Sequence, residues 1–202
     1  MKAALVLIVA SLGLAGCAGS PPPQYHSLSA IAVAAGGSGS ARMLVEILPP
    51  VVPERLNRQE MVLTSADGRL DVRELEQWAA PLPDEVRQVV ADTVWADLGA
   101  ADVYNAPVSA NSSTLPQYRL ALRLEHFDAV PGHAVRVEAA WTIRRLPQGA
   151  SITCRQRIDL PLPGVSADAA AGALGQASAG LAKAVSASLG RMNLDMPDAC
   201  EG

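Results

Sequence analysis

The chain has 202 residues, a formal charge of −4 and a pI near 5.3. Half of its residues are hydrophobic and only 3% are aromatic; that apolar content excludes a wholly disordered chain, and the length fits one domain. The mild acidity gives no global attraction to nucleic acid, so no nucleic-acid partner is expected.

Met1-Lys2 forms a short positive start, followed by an apolar run from Ala3 to Leu14 and then Leu14-Ala15-Gly16-Cys17. The run is too short to cross a hydrocarbon core, which needs ~20 helical residues, and fits the h-region of a secretory signal. Its ending has the form of a bacterial lipobox. Small residues at 15 and 16 admit a signal peptidase, and the Cys17 thiol accepts a diacylglyceryl group before its freed amine is acylated. We therefore expect a signal peptide over 1–16, a lipidated tether over 17–24 and one domain over 25–202. Several acyl chains, at ~0.8 kcal/mol per buried methylene, make a stable anchor where one is marginal. Ala18 rather than aspartate follows the cysteine, which points to the inner leaflet of the outer membrane, facing the periplasm. No cofactor is expected beyond this covalent lipid.

Lipid on Cys17 leaves Cys154 and Cys200, an even pair in an oxidising compartment. A Cys154–Cys200 disulfide is expected, with two separate thiols as the other reading. No CxxC or HxxxH spacing supports a zinc site.

In chain order, Ala18 to Gln24 is small and proline-rich, as suits a spacer. Tyr25 to Val33 reads as a strand, 34–41 as a glycine-rich loop and Arg42 to Leu48 as a strand with Met43, Val45 and Ile47 on one face. Prolines 49, 50 and 53 force an extended path. Gln59 to Ser65 is a strand, Ala66-Asp67-Gly68-Arg69 a turn and Leu70 to Arg73 its return. Trp78 falls in an irregular stretch before a helix over Pro83 to Leu98, whose face carries Val86, Val89, Val90, Thr93, Val94 and Asp97. Gly99 stops it. A short strand covers Asp102 to Asn105, and a polar loop leads to Pro116.

The clearest strands come next. Gln117–Phe127, Ala134–Arg145 and Ser151–Leu160 alternate in hydrophobicity and are joined by proline-glycine turns, as in a meander. Ser166 caps a final helix, Ala167 to Met192, with an alanine- and glycine-rich buried stripe. The expected fold is α+β: a two-layer sandwich in which an antiparallel-rich mixed sheet carries both helices on one face.

Chemistry is sparse. His126 and His133 flank one turn without an acidic cluster, no G-x-S-x-G occurs, and the acids are scattered. No catalytic or metal site is expected. Trp141 belongs to an inward strand face. Trp78 is either a core lid or a partner contact, and Arg55 and Arg58 are either solvated charges or part of a protein-binding edge.

Taken in order, the lipobox, Tyr25-His26-Ser27-Leu28, Val45 to Pro49, Leu56 to Val62, Trp78 to Leu82 and Phe127 through Gly132 to Trp141 resemble the ABC-type transport auxiliary lipoproteins of the PqiC/YmbA type. The resemblance implies a non-enzymatic subunit anchored at the outer membrane. Its partner would be an MCE-domain, PqiB-like protein of a complex that moves lipids or other hydrophobic molecules. Departures include Gln77, where the family often has arginine, and the inserted Gly36–Ser40 piece. Homo-oligomeric docking is compatible with the resemblance, but no pattern in this sequence encodes it. The competing reading is a regulator of an envelope enzyme such as a cell-wall synthase.

Overall fold

The computed structural model describes residues 21–28, 39–105, 114–196 and 199–200. The lipobox, Cys17 and most of the glycine-rich loop lie outside them. In chain order the elements are β1 (Gln24–His26), β2 (Met43–Ile47), a 3-10 turn (Glu54–Leu56), β3 (Glu60–Thr64), β4 (Leu70–Trp78), α1 (Leu82–Leu98), β5 (Ala100–Asp102), β6 (Gln117–Val130), β7 (Ala134–Arg145), β8 (Ser151–Pro161) and α2 (Ala167–Asn193).

The class is the expected mixture of α and β, but the strands divide between two mixed sheets. The larger has the order β5-β2-β6-β7-β8 and the smaller β1-β4-β3. β2 runs parallel to both of its neighbours, while β6, β7 and β8 form the expected antiparallel meander. Both helices cover one face of the larger sheet, so the layer prediction holds.

The meander positions everything else. Tyr118, Leu120, Leu122 and Leu124 of β6 and Val135, Val137, Ala139, Trp141 and Ile143 of β7 are all buried on the helix side. Unbroken alternation would place His126 inward. Instead the register shifts between Leu124 and His126, and Phe127 and Ala129 become the buried positions. A bulge of this kind inserts an unpaired residue and swaps the faces of the residues beyond it. It lets an aromatic ring, rather than an imidazole, enter the core.

The helices form as their sequences dictate. α1 has Pro83 in its first turn, acidic Asp84 and Glu85 near its positive end, and Gly99 at φ 63° as a left-handed stop. Arg42 Nε donates to Leu98 O at 2.9 Å, placing a guanidinium on the negative end of the helix. α2 starts where Ser166 Oγ accepts from Ala169 N at 3.1 Å. The two helices run side by side in the same direction: near both C-terminal ends a Cβ on Gly190 would sit 3.3 Å from Leu98, and further back along α2 Lys183 Nζ reaches Asp97 at 2.5 Å. A Cβ on Gly180 would touch the Ile158 side chain at 3.7 Å, so this small residue lets α2 lie close to β8. Gly172 has nothing within 4 Å of that position, so its smallness serves no packing contact.

Several boundaries differ from expectation, mostly by one to three residues, and the following bear on the fold. β4 does not end at Arg73 but continues to Trp78, because its last three residues pair in parallel with β1. The short strand after α1 is Ala100–Asp102, nearer the helix stop. β1 itself covers Gln24–His26, and residues 29–33 of the longer strand expected there lie outside the described residues. For β4 and β5 a partner distant in sequence sets the limit.

Cys154 and Cys200 form a disulfide, closing a loop with a sequence separation of 46. It fastens the C-terminal segment to the middle of β8. Cys154 is buried against the core, whereas Cys200 lies at the surface. Cys200→Ser therefore opens the loop with less disturbance to packing. The chain-entropy relation for a loop of this size predicts a loss of up to about 4 kcal/mol, measurable as a lower urea midpoint, with a steeper slope because the opened chain unfolds to a more expanded state.

Candidate functional site

The residues singled out from sequence do not converge on one exposed patch. Trp78 is only 3% exposed. Its ring meets Phe127 edge-on at 6.0 Å and His26 at 6.5 Å, closing the core where the small sheet joins β6. Arg55 lies at 3.5 Å from Asp128 and Arg58 at 3.0 Å from Glu60, both on the surface. Exposed pairs of this kind contribute ~0–1 kcal/mol and leave the arginines available to solvent. His126 Nδ1 sits 3.0 Å from Asp128, and His133 is exposed at the turn. Among the described residues no group of three His, Cys, Asp or Glu is placed to hold a metal ion.

The structure reveals instead a clamp on the chain at residues 26–28. Glu85, 6% exposed at the start of α1, accepts from Ser27 Oγ at 2.9 Å and from the buried Leu28 N–H at 2.8 Å. One residue earlier, His26 Nε2 lies 2.6 Å from Glu76, and His26 Nδ1 lies 3.7 Å from Asp168 at the start of α2. Thus β1 is held to β4 by its backbone and to the N-terminal ends of both helices by side chains. The sequence signalled Glu85 only as an acid suited to a first helical turn. Its partners lie 57 and 58 positions away and had no local signature.

Two surfaces remain open. The face of the larger sheet opposite the helices carries a ladder of opposite charges: Arg119–Glu46 at 2.6 Å, Arg155 between Glu125 and Glu138 at 2.7 and 2.6 Å, and Asp159 between Arg136 and Arg157 at 2.8 and 2.6 Å. All but Arg157–Asp159, which lies within β8, join different strands, where opposite charges favour the pairing. The hydrogen bond from Arg136 is the main cause holding the Asp159 carboxyl below its ordinary range, with Arg157 adding to it. The second surface is β4. Leu70, Val72 and Leu75 are 49%, 37% and 43% exposed, and Tyr25 of the neighbouring β1 is 64% exposed.

The clamp and the ladder can each be tested. Glu85→Ala leaves the buried Leu28 N–H without its acceptor, at a cost of ~1–3 kcal/mol; Glu85→Gln keeps an acceptor oxygen and loses less. Hydrogen exchange at Leu28, together with urea unfolding, reads both. For Asp159, a lowered folded-state pKa means that its stabilisation is present above the unfolded carboxylate value, ~3.9, and is lost as pH falls through the folded value. The stability gap between the native protein and Asp159→Asn should therefore close on acidification below that range, and equilibrium unfolding at several pH values tests it.

No curated protein matches the sequence. A solved structure of an uncharacterized protein superposes with a TM-score of 0.67 at 18% identity, covering 84% of this chain and 99% of its own. Protein XCC0632 from Xanthomonas campestris, of the DUF330 family, superposes with a TM-score of 0.64 at 14% identity, covering 85% and 97%. At these identities the likeness establishes the shared fold. In the described residues no helix is long and apolar enough to cross a membrane. The family model for the ABC-type transport auxiliary lipoprotein component matches residues 26–186, from the end of β1 to the C-terminal half of α2, and the chain belongs to that family.

Proposed function

We propose that the protein is a non-catalytic auxiliary subunit of an MCE/ABC-type envelope transport system that moves lipids or other hydrophobic molecules. It is held by acyl chains on Cys17 in the inner leaflet of the outer membrane and faces the periplasm. The observation that carries this reading is the family match over residues 26–186, which begins nine positions after the lipobox cysteine.

The physical arrangement supports a tethered docking module. Seven residues, Cys17 to Pro23, separate the lipid site from β1. Fully extended they span at most about 25 Å, so the domain stays close to the bilayer. Pull on the tether reaches β1 first, and the Glu85 and Glu76 contacts pass it to the helix starts and to β4. No cofactor has a role in this mechanism; the covalent lipid supplies attachment and the folded surface supplies recognition. The partner is an MCE-domain protein of the transport complex.

The test is affinity purification of the tagged lipoprotein after crosslinking in living cells, alongside Cys17→Ala. An MCE-domain protein should be recovered with the native chain, and its yield should fall about tenfold or more when the anchor is lost, since tethering raises the effective concentration. Recovery of a cell-wall synthase without any transport component would overturn the reading in favour of an envelope regulator.

A further inference from the structure

We propose that the free edge of β4, from Leu70 to Arg73, is a strand-addition site for an extended segment of a partner protein. β4 is the middle strand of the small sheet, yet it is paired on both sides only at its end. β3 covers Leu70 to Arg73 on one side, while β1 covers only Glu76 to Trp78 on the other. Between them the register shifts, and Glu74 to Glu76 have no opposite residue in β3.

The direction of the backbone groups is set by the hairpin. Ser65 N donates to Arg69 O at 2.8 Å, so positions 63/71 and 61/73 are the hydrogen-bonded pairs of this antiparallel ladder. Leu70 and Val72 occupy the alternate positions. Their N–H and C=O groups therefore point away from β3, and no described strand receives them. Their side chains are half exposed on one face. An apolar, unpaired edge is a surface that proteins normally blunt or use.

The chain's own tether is a poor cover. Continuing the parallel register of Gln24 with Glu76 would set Pro21 to Pro23 against Arg73 to Leu75, and proline has no N–H to donate. A second copy fits only in part. Two β4 edges paired antiparallel about Val72 would match Asp71 with Arg73 but set Leu70 against Glu74. A partner segment matches throughout if it places apolar side chains opposite Leu70 and Val72 and polar ones opposite Asp71 and Arg73, which pair with each other at 2.9 Å. Backbone pairing then supplies affinity and the alternating side chains supply selection. Only the identity of the partner, a component of the transport complex, rests on the function proposed above.

The experiment places a photocrosslinking amino acid at Leu70 in the full-length protein in living cells and sequences the crosslinked peptide. Val72→Pro removes one outward N–H without touching the bonds to β3, and Val72→Lys keeps the N–H but charges the edge. The expected result is a protein peptide with the stated alternation, whose yield falls about tenfold or more in both variants while hydrogen exchange in β3 is unchanged. Adducts with phospholipid or with a second copy of the chain overturn the proposal, as does an undiminished yield in both variants. A matching strand from a protein outside any transport complex keeps the edge proposal and removes the transport reading. Recovery of the transporter through the anchored protein with no adduct from Leu70 does the reverse.

Discussion

Pairing of β6 with β7, from Tyr118–Arg145 to Val130–Ala134, is the constraint on which the rest of the structure depends. It sets one continuous apolar face, and α2 lies along that face with small residues where it meets β8. α1 packs beside α2, and β2 joins the other edge of β6. The bulge after Leu124 then decides what happens at the far end. By turning Phe127 inward it creates the apolar seat for Trp78, and through Trp78 the small sheet is attached to the main body. Without that change of face, His126 would occupy the seat, and burying it would demand a polar partner.

The small sheet sits at the N-terminal ends of the two parallel helices. That placement gives the clamp its chemistry. The positive ends of helix dipoles favour carboxylates, and here Glu85 and Asp168 occupy those ends while also facing β1. Glu85 thus both suits the helix start and holds the Ser27-Leu28 segment, while the exposed Asp168 lies 3.7 Å from His26. The contacts of this corner are thereby linked in series: Glu85 holds residues 27 and 28, β4 receives β1, and the outer edge of β4 from Leu70 to Arg73 has no strand beside it among the described residues.

Much of this was legible in the sequence. Period-two alternation marked β6, β7 and β8, and period 3.6 marked both helices, with Ser166 and Gly99 as their boundaries. The parity of Cys154 and Cys200, once Cys17 was assigned to lipid, pointed to the disulfide. What escaped was pairing over distance. Residues 76–78 looked irregular because the pattern of a three-residue strand is too short to register, and Glu85 looked like an ordinary helix-start acid. Leu70 and Val72 carry the apolar alternation of a half-buried strand, but only the topology leaves that face uncovered. Trp78 was open between core and surface for the same reason: an aromatic ring suits both.

By itself, then, the sequence determined the kind of each main element, the faces those elements bury, the lipoprotein-like start and the α+β class. These come from local chemistry: side-chain period, caps, turn residues and cysteine parity. Tertiary structure decided which strands neighbour one another, that the strands form two sheets, where the bulge swaps faces, and which edge stays open. Those choices depend on contacts between residues far apart in the chain. A local pattern reports that a face must be covered, but not what covers it.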